Sequence, residues 1–154
     1  MFGYTDSEKK IGLGNESLTG AIEVFKQSLL NLNKFFPQSE IKIVFIPSTL
    51  SSYKIISPNV HYRGFMQGLN IIETTKIEKS HARLCGAIKQ IAVNYNFSFI
   101  NVTKSIRLAS SIEFMHGPLD WDHFNKRGYQ VLSDELVGLF SHTEQGIRID
   151  NCVY

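Results

Sequence analysis

The sequence predicts an α/β fold in which helices alternate with short buried strands. Apolar residues recur every three or four positions in the helical segments, and two short segments rich in apolar residues, 41–46 and 97–102, lie between them. The order helix, strand, helix, strand, helix is typical of layered folds with a parallel sheet. Two buried strands make an incomplete sheet, because each needs neighbours. We therefore expect part of a three-layer α/β/α domain whose first strands are missing.

The first half of the chain predicts one helix, one strand and a long connection. The helix is expected from Thr19, as its N-cap, to Phe36, because Pro37 cannot continue it. The strand over 41–46 follows at once, and its unpaired apolar edge predicts self-association or pairing with a complementing chain. Residues 49–75 are expected to form an irregular connection, and a loop of this length in a compact domain is usually functional or mobile.

The second half predicts two further helices and a shorter one around the second strand. A helix is expected over 77–95, followed by the strand 97–102 and a short helix from Thr103 to about residue 111. After a loop over 113–125, the last helix is expected over 126–140. Its inward face is predicted to consist of Tyr129, Leu132, Leu136 and Leu139.

Length and composition limit the function classes. With 154 residues the chain is expected to be a single domain, 1–154, with ordinary proportions of hydrophobic and charged residues. A net charge of +2 is too small to indicate nucleic acid or an anionic membrane as a partner. No apolar run approaches the roughly 20 residues of a membrane span. The segment Met1–Asp6 lacks a basic stretch followed by an apolar one, so a soluble chain without a signal peptide is expected.

The two cysteines are far apart in the sequence. Cys85 lies on the apolar stripe of the predicted second helix, which predicts a buried and inert thiol. Cys85 and Cys152 have no Cys-x-x-Cys spacing, so they neither support a metal site nor settle the redox compartment.

An acid three residues before a histidine lies on the polar loop that precedes the last helix. A turn can bring Asp120 back to the imidazole of His123, where it fixes the tautomer and stabilises the imidazolium. Such a general base contributes about 10²–10⁴-fold in rate. In the alternative interpretation, His123 is an ordinary loop histidine, and Asp120 and Asp122 only complement the helix dipole. Asn125 is expected to cap the helix, and Gly128 to permit close packing.

The residues around this pair resemble a known family. The block His116-Gly-Pro-Leu-Asp-Trp-Asp-His-Phe-Asn-x-x-Gly-Tyr129 resembles the final conserved block of the SGNH (GDSL-type) hydrolases. Ile46-Pro47-Ser48, followed by Tyr53, resembles the strand end and loop of a bacterial branch of that family. The resemblance implies a flavodoxin-like three-layer fold and ester hydrolysis or acyl transfer through a serine, on a small-molecule or glycan ester. It also implies His123 as base, Asp120 as its partner, and no cofactor.

Other blocks of the family are missing. The chain contains no Gly-Asp-Ser, and the segment of the oxyanion glycine is absent. The nearest candidates for the asparagine of the Gly-x-Asn-Asp block are Thr5, in Gly3-Tyr4-Thr5-Asp6, and Asn15. Losing one oxyanion donor can cost about 10²–10³ in kcat. We therefore expect a chain that begins after the nucleophile block and is nearly inactive alone. No metal is expected, because no second cluster completes a site around Asp120.

Two other interpretations stay open. The chain could be a non-catalytic remnant that binds carbohydrate or a protein through aromatic residues such as Tyr53, Tyr62 and Phe65. It could instead be a half-domain that completes its sheet with another chain. His116 is a candidate for flanking the site, and His81 is expected to be a partly buried structural histidine.

Overall fold

A computed structural model describes residues 15–64, 68–117, 122–141 and 147–152, which fall into two compact units. The first unit contains helix α1 and most of a two-stranded sheet, and the second contains the other elements. Among the described helices, none is long and apolar enough to cross a bilayer. The elements in chain order are α1 (Asn15–Phe35), β1 (Lys42–Phe45), β2 (Asn59–Gly64), β3 (Gly68–Glu73), α2 (Thr74–Tyr95), β4 (Ser98–Asn101), α3 (Thr103–Ser110) and α4 (Lys126–Ser141).

The structure overturns two predictions made for the first half of the chain. Helix α1 begins at Asn15 rather than at Thr19, so the predicted cap lies inside the helix. The segment 49–75 is not irregular, because it holds a 3-10 turn and the antiparallel pair β2 and β3. Val60 and Tyr62 alternate with polar residues in β2, a period of two that is typical of strands. In the sequence this run is short and lies between Pro58 and Gly64, so its period of two was not recognised.

In the second unit, β1 and β4 form a parallel pair that runs in register from Lys42 opposite Ser98 to Phe45 opposite Asn101. The chain near residue 149 lies along the other edge of β4. The backbone N–H of Phe99 donates to the Arg148 carbonyl at 2.7 Å, and the N–H of Asp150 donates to the Phe99 carbonyl at 2.9 Å. Strand β4 is therefore internal to the sheet, which agrees with the burial of Ser98, Phe99 and Ile100.

Helices cover both faces of this parallel pair. The ring of Phe45 packs edge-on against His81 of α2, with centroids 5.2 Å apart. Successive strand residues point to opposite faces, and Val44 packs on the other side against a buried cluster that includes Ile106 of α3. Leu132 of α4 packs against the same cluster. Helix α2 therefore packs on one face of the parallel pair, and α3 and α4 pack on the other. The predicted α/β class is confirmed, and His81 is buried as expected.

A disulfide joins Cys85 and Cys152, whose Cα atoms lie 5.8 Å apart. The predicted free thiol at Cys85 is therefore wrong, although the residue is fully buried. The bond links α2 to the terminal segment that lies beside β4. The sequence could not show this pairing, because 67 positions separate the two residues and only the sheet brings them together.

The inward face of α4 differs from the prediction at Tyr129, and the side chain of Leu139 lies outside what the structure describes. Tyr129 was expected to face the core but is 55% exposed, whereas Gly128 is buried. A Cβ added at Gly128 would lie 2.4 Å from the carbonyl oxygen of Met115 and 2.9 Å from the Cβ of Phe124. The first turn of α4 thus packs against the preceding loop through a glycine, as expected for Gly128.

Candidate functional site

A cleft of about 600 Å³ lies between the turn that follows β1 and the loop that joins α3 to α4. This volume is within the range of small-molecule sites. Both wall segments belong to the second unit. The residues that line the cleft are Thr49, Tyr53, Glu113, Phe114, His116, Gly117 and Asn125.

The turn over Thr49–Ser51 is fixed by serine hydroxyls and by α3. The hydroxyl of Ser52 donates to the Ser48 carbonyl at 2.9 Å, and the hydroxyl of Ser110 donates to the Ser52 carbonyl at 2.7 Å. The Arg107 guanidinium donates to the Ser51 carbonyl at 2.8 Å. Ser51 and Ser52 are buried. Their role here is to position the aromatic residue that follows, and they are not exposed as a nucleophile would be.

Tyr53 and His116 form the centre of the cleft wall. The Tyr53 hydroxyl lies 2.9 Å from Nδ1 of His116, and it accepts the backbone N–H groups of Met115 at 3.1 Å and His116 at 3.2 Å. A phenol oxygen has two lone pairs and one proton. Because the two N–H donors occupy the lone pairs, the proton must be donated to Nδ1. His116 is therefore the tautomer that carries its proton on Nε2.

The surroundings keep His116 neutral. Burial lowers the pKa of His116, and the carboxylate of Asp122 opposes this shift only in part. Only 7% of the residue is exposed. Protonation of Nδ1 would also reverse the hydrogen bond from Tyr53 and leave its oxygen facing three donors. Both effects favour the uncharged imidazole at neutral pH.

Asn125 connects the cleft to α4. Its side-chain oxygen accepts the N–H of Gly128 at 2.9 Å, so the predicted N-cap is confirmed. Its side-chain N–H groups donate to the carbonyls of Phe114 at 2.8 Å and His116 at 3.2 Å, and its backbone N–H donates to the Met115 carbonyl at 2.8 Å. The cap thus holds three successive carbonyls of the cleft wall in place.

His123 lies two residues before this cap and is exposed to solvent. The next residue, Phe124, packs inward, with its ring centroid 4.8 Å from that of His116. His116 and Phe124 also form an isolated antiparallel bridge, which anchors both ends of the intervening loop. Asp120 lies outside the described residues, so its contact with His123 stays a prediction.

The assignment of Thr5 or Asn15 as an oxyanion donor stays a prediction. Thr5 lies outside the described residues, and Asn15 is the first residue of α1, in the other unit. Among the described residues, no group of three or more His, Cys, Asp or Glu side chains could hold a metal ion.

The pair of Tyr53 and His116 is the main feature that sequence reasoning missed. His116 was predicted to flank the site and begins the block that resembles the family. Tyr53 was named in the loop that resembles the family and as an aromatic contact. Sixty-three positions separate them, so no local spacing shows that they meet.

Comparisons with protein-family models, curated proteins and solved structures find no match to the chain.

Proposed function

We propose that the chain is the C-terminal part of a serine ester hydrolase or O-acyltransferase of the SGNH type, with a flavodoxin-like fold. His123 would be the general base and Asp120 the carboxylate that orients it. The observation that carries the proposal is the position of His123. It is an exposed imidazole between Gly117 and Asn125, two residues that line the cleft of about 600 Å³.

In this mechanism His123 removes the proton from a serine hydroxyl as the serine oxygen attacks the ester carbonyl carbon. Asp120 stabilises the imidazolium. The imidazolium then returns the proton to the departing alcohol, which leaves an acyl-serine. Water or another hydroxyl attacks the acyl-serine with the same base assistance, and the serine is regenerated. No Gly-Asp-Ser occurs in the 154 residues, so the nucleophile would come from another segment.

The edge of β1 that faces away from β4 supports such a segment. The carbonyls of Ile41 and Phe45 accept N–H groups from Ser98 and Val102, so the backbone groups of Lys42 and Val44 point away from β4. In the described part of the chain, no strand pairs with that edge. A strand that carries the nucleophile block would extend the sheet there, either from a further segment of the same polypeptide or from another chain.

The disulfide bears on where the site operates. Disulfides persist mainly in oxidising compartments. The bond between Cys85 and Cys152 therefore supports an extracytoplasmic location, where ester groups on glycans or small molecules would be the substrates.

The test begins with the DNA upstream of the codon for Met1. If a Gly-Asp-Ser block lies there in frame, we expect the extended chain to hydrolyse p-nitrophenyl butyrate. His123→Ala should lower kcat by about 10²–10⁴-fold, and Asp120→Asn should also lower it. His61→Ala, at an exposed histidine of the first unit, is the matched control and should have no effect. An extended chain that keeps its rate in His123→Ala contradicts the proposal.

A second candidate is a binding protein without catalysis that uses the same cleft. Phe114 favours it, because this large aromatic side chain is 77% exposed at the cleft. Upstream DNA with no Gly-Asp-Ser block in any frame, together with ligand binding by the 154-residue chain, would favour this candidate over the enzyme.

A further inference from the structure

Most polar groups of the cleft wall are already used in hydrogen bonds within the protein. The Tyr53 hydroxyl makes three such bonds, and the Asn125 side chain makes three. A ligand would therefore meet Tyr53 mainly through its aromatic ring. Phe114 adds a second ring, with centroids 6.2 Å apart. The wall accordingly favours a hydrocarbon surface on the ligand.

Among the residues that line the cleft, His116 offers a polar group to a ligand. Its Nδ1 accepts from Tyr53, so Nε2 carries the proton, and within the described part of the chain the hydrogen bond of this ring is the one to Tyr53. The imidazole is almost fully buried, and a donor in such surroundings interacts more strongly than one in water. Because the imidazole is neutral and its basic nitrogen is already engaged, it suits hydrogen-bond donation and not proton removal.

The charge at the rim disfavours an anionic ligand. Glu113 lines the cleft, and its carboxylate lies 3.4 Å from the guanidinium of Arg127, with both side chains about half exposed or more. The positive charge beside the cleft is thus already paired with a carboxylate. A carboxylate or phosphate on the ligand would meet no unpaired cation among the lining residues, whereas an uncharged acceptor needs none.

We infer that the cleft binds the acyl part of an uncharged ester that has a medium-length hydrocarbon chain. The chain would lie along Tyr53 and Phe114, and the carbonyl oxygen would accept the Nε2–H of His116. A water-sized group occupies roughly 30 Å³. An acetyl group is only a few such groups in size, so it would fill a small part of the 600 Å³ cleft. The inference rests on the proposed function only for the reaction of the bound ester. The binding of the ester does not depend on that function.

Binding can be measured on the 154-residue chain by NMR titration with methyl octanoate and methyl acetate. We expect saturable shifts of the Phe114 and His116 signals, and affinity for methyl octanoate about tenfold or more above that for methyl acetate. Phe114→Ala should weaken binding by about tenfold. His116→Phe, which keeps a ring but removes the donor, should weaken it roughly threefold to tenfold. Ile112→Ala, at an 88% exposed residue of the same loop, is the matched control and should change nothing.

Equal affinity for the two esters, or unchanged affinity in Phe114→Ala, would overturn the inference. So would ¹⁵N spectra that place the proton of His116 on Nδ1, a measurement that does not depend on how well His116→Phe folds. Selective binding together with an extended chain that is insensitive to His123→Ala would overturn the proposed enzyme and leave this inference standing.

Discussion

Replacing Gly128 by alanine tests how the first turn of α4 packs against the loop that joins α3 to α4. An alanine Cβ would lie 2.4 Å from the carbonyl oxygen of Met115, and ordinary contacts begin near 3.4 Å. The oxygen must therefore retreat by about 1 Å (3.4 − 2.4). That oxygen also accepts the backbone N–H of Asn125 at 2.8 Å, so the move weakens a hydrogen bond at the helix start. The Cβ of Phe124, at 2.9 Å, limits escape in another direction.

The expected change in the free energy of unfolding combines one stabilising and two destabilising contributions. Alanine is favoured over glycine within a helix by about 0.8–1 kcal/mol. Overpacking of this kind costs about 1–3 kcal/mol, and a weakened hydrogen bond costs about 1 kcal/mol more. We expect Gly128→Ala to lower the free energy of unfolding by about 1–3 kcal/mol. Gly138→Ala, in the same helix and with no atom within 4 Å of the added Cβ, should raise it by about 0.5–1 kcal/mol.

Both variants can be compared by urea denaturation and by thermal unfolding. For a chain of this length we expect the Gly128→Ala midpoint to lie about 5–10 °C below that of Gly138→Ala. If Gly128→Ala is as stable as Gly138→Ala, then α4 does not contact Met115 as described, and the account of the cleft wall is wrong.

Three further predictions concern buried groups. Burial lowers the pKa of both His81 and His116 below 6.5, so the unfolded chain binds more protons below that pH. The free energy of unfolding should be highest above pH 6.5 and should fall as the pH drops from there towards each lowered pKa. A free energy of unfolding that does not change from about pH 7.5 to 5.5 would contradict this. The buried Thr103 hydroxyl has no hydrogen-bond partner among the described residues, so Thr103→Val should stabilise the chain by about 1 kcal/mol in urea denaturation. Cys152→Ser should cost up to about 4 kcal/mol for a loop closed over 67 positions, and a loss below about 1 kcal/mol would show that the bond with Cys85 does not form.

The sequence predicted the elements whose periodicity is local. Both buried strands and the three long helices lie within a few residues of their predicted limits, because apolar spacing and the prolines and caps around it act over one or two turns. The main error in the helices was the start of α1, where Asn15 rather than Thr19 begins the helix. The strands β2 and β3 were missed because each is short and the two stabilise each other by pairing, which a single segment does not reveal.

The candidate site was predicted only where its residues are neighbours in sequence. The cap by Asn125 and the close packing of Gly128 act within four positions and were both expected. The contact of Tyr53 with His116 joins two segments that are distant in the sequence. It depends on how α3 packs against the turn over Thr49–Ser51. A single sequence offers no signal for such a contact.

The stability of α4 and the shape of the cleft depend on the same residues. Met115 lies between Phe114 and His116, and Asn125 holds the carbonyls of all three while capping the helix. A shift of the Met115 carbonyl must therefore displace both residues that we expect to contact a ligand. Gly128→Ala should weaken the binding of methyl octanoate even where the chain is fully folded. A substitution that changes stability at a distance from this loop should leave affinity unchanged. Equal affinity of Gly128→Ala and the unmodified chain would mean that the cap supports the helix alone and does not shape the binding site.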